Sequence, residues 1–212
     1  MMKIFLWWMK RNKNINMLNL KEYIKESILD DEDAVFNDDN IKLEIEKFIK
    51  DNYNYQQFMI SNKSNKDGKF VVDGTDILVT NKNITSLTNN FFVWGKVKRD
   101  FNCAYCNSLI SLEGAPEEVG WDFYCSYCYS LKSLKGAPEK VGGSFNCSYC
   151  YSLKSLKDAP EKVNRSFYCS YCDSLISLEG APKKIGDDFY CIGNKFSIED
   201  IEKVVKAKQI KI

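Results

Sequence analysis

The run FYCSYCYSLKSLKGAPEKVG, residues 123–142, contains a Cys-x-x-Cys whose reading decides the fold. Taken alone it is half of a four-cysteine zinc site, because 18 residues separate Cys128 from the next pair at Cys147 and Cys150. Taken with its neighbours it is one turn of a repeat. Phe recurs at 101, 123, 145, 167 and 189, always 22 residues apart. The same register carries Cys103, Cys125, Cys147, Cys169 and Cys191, then Cys106, Cys128, Cys150 and Cys172. Leucines follow at 109, 131, 153, 175 and at 112, 134, 156, 178, and Val119, Val141, Val163 and Ile185 complete the apolar set. The four prolines, Pro116, Pro138, Pro160 and Pro182, share one column, each preceded by alanine.

A period without slippage describes a coil that turns once every 22 residues with Phe, both Cys, both Leu, Ala and Val inward. One coil cannot bury these groups, but stacked coils can, at roughly 1.5–3 kcal/mol for each apolar side chain taken fully inside. The alternation in Phe-x-Cys is that of a short strand, so stacking predicts a parallel sheet. The Gly-Ala-Pro segment turns the chain.

The unit resembles the leucine-rich repeat, in which a strand is followed by an inward ladder of asparagine or cysteine. Phe123 and Cys125 fall on its strand leucines and Cys128 on its ladder position. The resemblance covers residues 101–195, and the Ala-Pro and Val-Gly elements look like a bacterial or phage variant. It departs from the pattern where Phe and Cys stand for strand leucines. The implied fold is an α/β repeat solenoid: a short parallel β-sheet stack with an N-terminal helical region and a C-terminal capping helix.

The ends of the array weigh against zinc. In the last coil the second Cys column continues as Asn194. Upstream, ILVTNKNITSL repeats the pattern at an offset of 25, which sets Leu78 on the first Cys column, Asn81 on the second, and Ile84 and Leu87 on the Leu columns. Zinc does not accept Leu or Asn as substitutes, whereas a buried column does. Reduced structural cysteine is the expectation, ahead of zinc or disulfides, and no cofactor is expected.

Composition narrows function further. Thirty Lys and Arg against 29 Asp and Glu favour neither nucleic acid nor a membrane surface. The chain has no histidine, which removes the commonest general base and the Ser/His and Cys/His nucleophile pairs. The apolar stretch from Ile4 to Met9 is too short for a membrane span and for most signal-peptide cores, so the reading is cytoplasmic.

Four segments follow. Residues 1–60 form an N-terminal helical region, with Asn19 and Glu22 in capping-box spacing ahead of Leu20, Ile24 and Ile28. A second helix runs from Ile41 to Asn52, with Ile41, Ile45, Phe48 and Ile49 on one face and a solvated acidic connection, DDEDAVFNDDN, before it. Residues 61–100 hold a polar loop, a β-hairpin around Asp73-Gly74, a degenerate first repeat and an aromatic insertion, with Phe91, Phe92 and Trp94 wrapping the core edge. Residues 101–195 are four full repeats and a partial fifth, and 196–212 a capping helix with Ser197 as N-cap and Ile198, Ile201, Val204 and Val205 inward.

Function is expected on the residues beside the inward ones. Three outward columns follow: Asn102, Tyr124, Asn146, Tyr168 and Tyr190; Ala104, Ser126, Ser148, Ser170 and Ile192; Tyr105, Tyr127, Tyr149 and Tyr171. Tyrosine supplies large contact area at low entropic cost, although a tyrosine column also stabilises a sheet face by itself. Trp121 breaks the repeat and is a further candidate contact. The expectation is a non-enzymatic module that binds an unidentified protein partner. The Asn/Lys/Ile-rich composition is that of an AT-rich genome, a phage or a low-GC bacterium. By analogy alone, the chain would then be an inhibitor of a host defence protein, anti-CRISPR-like, or a bacterial effector or adaptor. The competing classes are a zinc or thiol-redox protein and a single-stranded nucleic-acid binder using stacked tyrosines.

Overall fold

The computed structural model describes residues 38–64, 69–89 and 92–212. The expected helix around Leu20–Ile28 and most of the acidic connection lie outside the described residues, as does Phe91. The first described element is helix α1 (Asp38–Asn52), which starts three residues before the expected Ile41. Its Ile45 and Ile49 are buried, and Lys50 reaches Glu46 one turn back at 3.8 Å.

The rest of the chain is a parallel β-solenoid whose coils contribute to two sheets. The first, sheet A, begins with β1 (Tyr53–Tyr55), antiparallel to β4 (Ile77–Val79). It continues in parallel through β6 (Phe101–Asn102), β8 (Phe123–Tyr124), β10 (Phe145–Asn146), β12 (Phe167–Tyr168), β14 (Asp188–Tyr190) and β15 (Gln209–Lys211). The second, sheet B, runs from β2 (Phe58–Ser64) and β3 (Phe70–Gly74) through β5 (Phe92–Val97) to β7 (Glu118–Val119), β9 (Lys140–Val141), β11 (Lys162–Val163) and β13 (Lys184–Ile185). Register is uniform: Phe101, Phe123, Phe145, Phe167 and Phe189 pair in sequence, as do Val119, Val141, Val163 and Ile185. Proline cannot donate to a ladder, and each Ala-Pro sits outside both sheets, just before the sheet-B strand.

The inward columns are buried as the repeat requires. All five Phe rings lie at 0% exposure in one file, with centroids 5.2–5.6 Å apart. Both Cys columns and the two Leu columns lie beside them. Among the described residues the helices are α1 and α2 (Ile198–Glu202), so the return limb of each coil is a second short strand and turns.

Four expectations are corrected. The strands around Asp73-Gly74 do not form a hairpin: β3 pairs with β2 in sheet B, while β4 belongs to sheet A, and the chain rounds a coil corner between them. Leu78 does not fill the thiol column. Ile77 pairs with Phe101 and Leu78 with Asn102, which leaves Leu78 37% exposed and places buried Val79 inward. A one-residue slip exchanges the faces of a strand. Phe92 and Trp94 fill the core instead of wrapping it, meeting Phe48, Tyr53 and Phe101 edge-on or tilted at 5.2–6.2 Å. Finally, the C-terminal segment is not one helix. Ser197 and Asp200 do form the capping box, and Ile201 and Val205 cover the last rung, but α2 ends after five residues. Ile198 and Val204 are therefore 47% and 48% exposed, and β15 adds a strand to sheet A.

Candidate functional site

The chemistry of this molecule begins with its thiols. All nine cysteines are buried and free. The second column bonds backward: Sγ of Cys128, Cys150 and Cys172 donates to the carbonyl oxygens of Cys103, Cys125 and Cys147 at 3.2–3.3 Å. In the last coil Asn194 Nδ2 donates to Cys169 O at 2.8 Å, and its Oδ1 accepts from Cys172 N at 2.9 Å. Asparagine thus substitutes for thiol on the same rung, which is the ladder that the sequence implies. At the other end Asn81 Nδ2 donates to Asn52 Oδ1. Burial pushes the thiols of Cys106 and Cys172 up to about 12 and those of Cys125, Cys147 and Cys150 well above the ordinary range. Among the described residues no group of three or more His, Cys, Asp or Glu is placed to hold a metal ion.

The outward columns divide. Asn102 and Asn146 are half-buried, and their Oδ1 atoms accept from the N–H of Ala104 and Ser148 two residues on, closing the turn at the end of the strand. Tyr124 donates its hydroxyl to Asp122 at 2.7 Å, and burial, ahead of that hydrogen bond, pushes its pKa up. Tyr168 and Tyr190 stack at 4.5 Å, and the Tyr190 hydroxyl reaches Asp188 at 3.3 Å. The small column is not outward: Ala104, Ser126, Ser148 and Ser170 are buried at 5–7% exposure. Ser148 and Ser170 accept from the N–H of the next coil's residue, so burial and hydrogen bonding make them parts of the frame.

The third column forms a continuous ladder. Tyr105, Tyr127, Tyr149 and Tyr171 stack with centroids 4.5–4.9 Å apart and interplanar angles of 4–16°. Each has a left-handed backbone, with φ of 55–63°, because the chain reverses direction at this corner. Gly193 holds the same column in the last coil at φ 74°, with the Tyr171 ring packed over it. Beside the ladder runs a pair that sequence reasoning missed. Tyr129 and Tyr151 stack at 5.0 Å and meet Tyr127 and Tyr149 edge-on at 6.5 Å. The column Asn107, Tyr129, Tyr151, Asp173, Lys195 was readable in the same register. Tyr105 is 53% exposed, and Tyr129, Tyr151 and Tyr171 are each 40% exposed.

Trp121 stands apart from this strip, before β8 instead of after it. It is 54% exposed, with the Arg99 guanidinium 4.6 Å from its ring centroid. Arg99 in turn pairs with Asp76 at 3.4 Å. Among the described residues no helix is long and apolar enough to cross a membrane. Compared with protein-family models, with curated proteins and with solved structures, the chain matches none.

Proposed function

We propose that the protein is a non-enzymatic interaction module that holds a protein partner against its tyrosine strip and the adjoining outward face of sheet A. The carrying observation is the ladder of four tyrosines in a left-handed conformation on an exposed corner. That conformation costs a non-glycine residue roughly 1–2 kcal/mol, and Gly193 turns the same corner without it. The rings are therefore retained for what they present: edges and hydroxyls in a strip with Tyr129 and Tyr151. Contiguous exposed aromatics of this kind are typical of recognition surfaces.

Two competing classes receive less support. Bases bind by stacking on free aromatic faces, and the ladder rings occupy one another's faces at 4.5–4.9 Å. Thiol chemistry needs accessible thiolate, and these sulfurs are buried, with three of them donating to carbonyls. We also read the coil as a variant of the leucine-rich repeat, on the strength of the inward leucines and the Cys/Asn ladder, with a strand on its return limb. The partner class rests on composition, and a phage host's defence proteins are the first to test.

The experiment is affinity capture from the natural host with the wild-type chain and with a Tyr124→Ala, Tyr127→Ala, Tyr149→Ala triple variant. Loss of a partner with the fold retained is the expected result. A folded triple variant that keeps every partner overturns the reading.

A further inference from the structure

Sheet B presents a second surface, independent of the tyrosines. Its outward row is Lys96, Glu118, Lys140, Lys162 and Lys184, paired in register from β5 to β13. Glu118 lies between Lys96 at 3.0 Å and Lys140 at 3.5 Å and serves both. Beyond it the row runs Lys–Lys–Lys. Like charges on neighbouring strands repel, and at roughly 4.8 Å per rung nothing in the coil requires them. Among the described residues, neither Lys162 nor Lys184 has a carboxylate within 4.0 Å, and neither does Lys98.

These lysines border a groove of about 290 Å³ whose floor includes Gly120 and Gly142. Glycine is set there by packing, since a Cβ at either position would strike the carbonyl of the preceding coil. The groove is thus a product of coil stacking, and the charge around it is the part that stacking does not explain. Four ammonium groups, Lys96, Lys98, Lys140 and Lys162, face one carboxylate.

We propose that this groove binds a short acidic peptide segment of a protein partner. It spans four rungs, about 14 Å, the length of roughly four extended residues. Its lining contains no aromatic side chain on which a base could stack, which favours a peptide over a single nucleic-acid strand. Glu117, Glu139 and Glu161 immediately precede the lysine row in sequence, and the overall charge of +1 gives no long-range attraction for an extended polyanion.

The test uses the full chain and a fluorescein-labelled hexaglutamate peptide, with hexathymidylate as the comparison, read by fluorescence anisotropy. Peptide binding is expected to weaken as salt rises from 50 to 200 mM, and at least tenfold in a Lys98→Glu, Lys162→Glu variant. Both lysines are exposed, so thermal midpoint and circular dichroism verify that the variant folds. Tyr127→Ala should leave peptide affinity unchanged, which separates this proposal from the tyrosine reading. No peptide binding, binding indifferent to the charge reversal, or tighter binding of the oligonucleotide overturns it.

Discussion

Replacing Tyr149 separates the two forces on the tyrosine ladder, because alanine and glycine relieve different ones. Tyr149 stacks on Tyr127 at 4.5 Å and on Tyr171 at 4.9 Å, while its backbone sits at φ 61°. Either substitution loses two stacks, about 0.5–1.5 kcal/mol each, or about 1–3 kcal/mol together. Alanine keeps the left-handed penalty. Glycine removes about 1–2 kcal/mol of it and loses about 0.5–1 kcal/mol of that to the freer unfolded chain. Tyr149→Gly should therefore be more stable than Tyr149→Ala by about 0.5–1 kcal/mol, with both below wild type. For a chain of this size that is a difference of about 1–4 °C in thermal midpoint. Differential scanning calorimetry on the three proteins at one scan rate measures it. An alanine variant as stable as the glycine variant would refute the claim that the corner is strained, and with it the argument that the rings are retained for what they present.

Three further outcomes are expected. Cys150→Ala leaves Cys125 O without its donor and should lower stability by about 1–3 kcal/mol in urea unfolding, whereas Cys150→Asn, which copies the Asn194 rung, should recover part of that loss. The buried thiols have raised folded pKa values, so their contribution is fully present below the unfolded thiol pKa, near 8.5, and should be lost as pH rises toward about 12. Thermal midpoints from pH 7 to 11 measure this, and a midpoint that rises across that range contradicts the burial. Asp158 holds φ 67° in the column where Gly114, Gly136 and Gly180 hold 82–91°, so Asp158→Gly should raise the midpoint slightly and Gly136→Asp should lower it.

The interior is readable from sequence because burial acts on every coil alike. Phe123, Cys125, Cys128, Leu131 and Val141 recur at one spacing, and a column that survives Asn194 must be a ladder position. What escapes such a reading is set by backbone geometry. Val141 is inward by its column, but a two-residue strand such as Lys140–Val141 has no alternation to display, so sheet B is invisible. Ser126 and Ser148 follow an inward cysteine and count as outward by period two, yet the chain reverses at the next residue and closes over them. Leu78 falls on the wrong face because the first coil slips by one residue between Val79 and Asn81. Tyr129 and Tyr151 lie beyond the reversal, where strand periodicity no longer applies.

The Cys-to-carbonyl ladder has a consequence for how the chain finds its structure. Each rung joins residues 25 apart with the same thiol and the same carbonyl, so a chain displaced by one whole coil satisfies its interior almost as well. Depth in the energy landscape then resides in the residues that do not repeat. Asn52 with Asn81 marks where counting starts, Trp121 under Arg99 fits one coil alone, and Asn194 with the α2 box marks where it stops. Erasing those marks would leave the coils intact and make their order ambiguous, with slipped and intermolecularly exchanged solenoids competing with the native one.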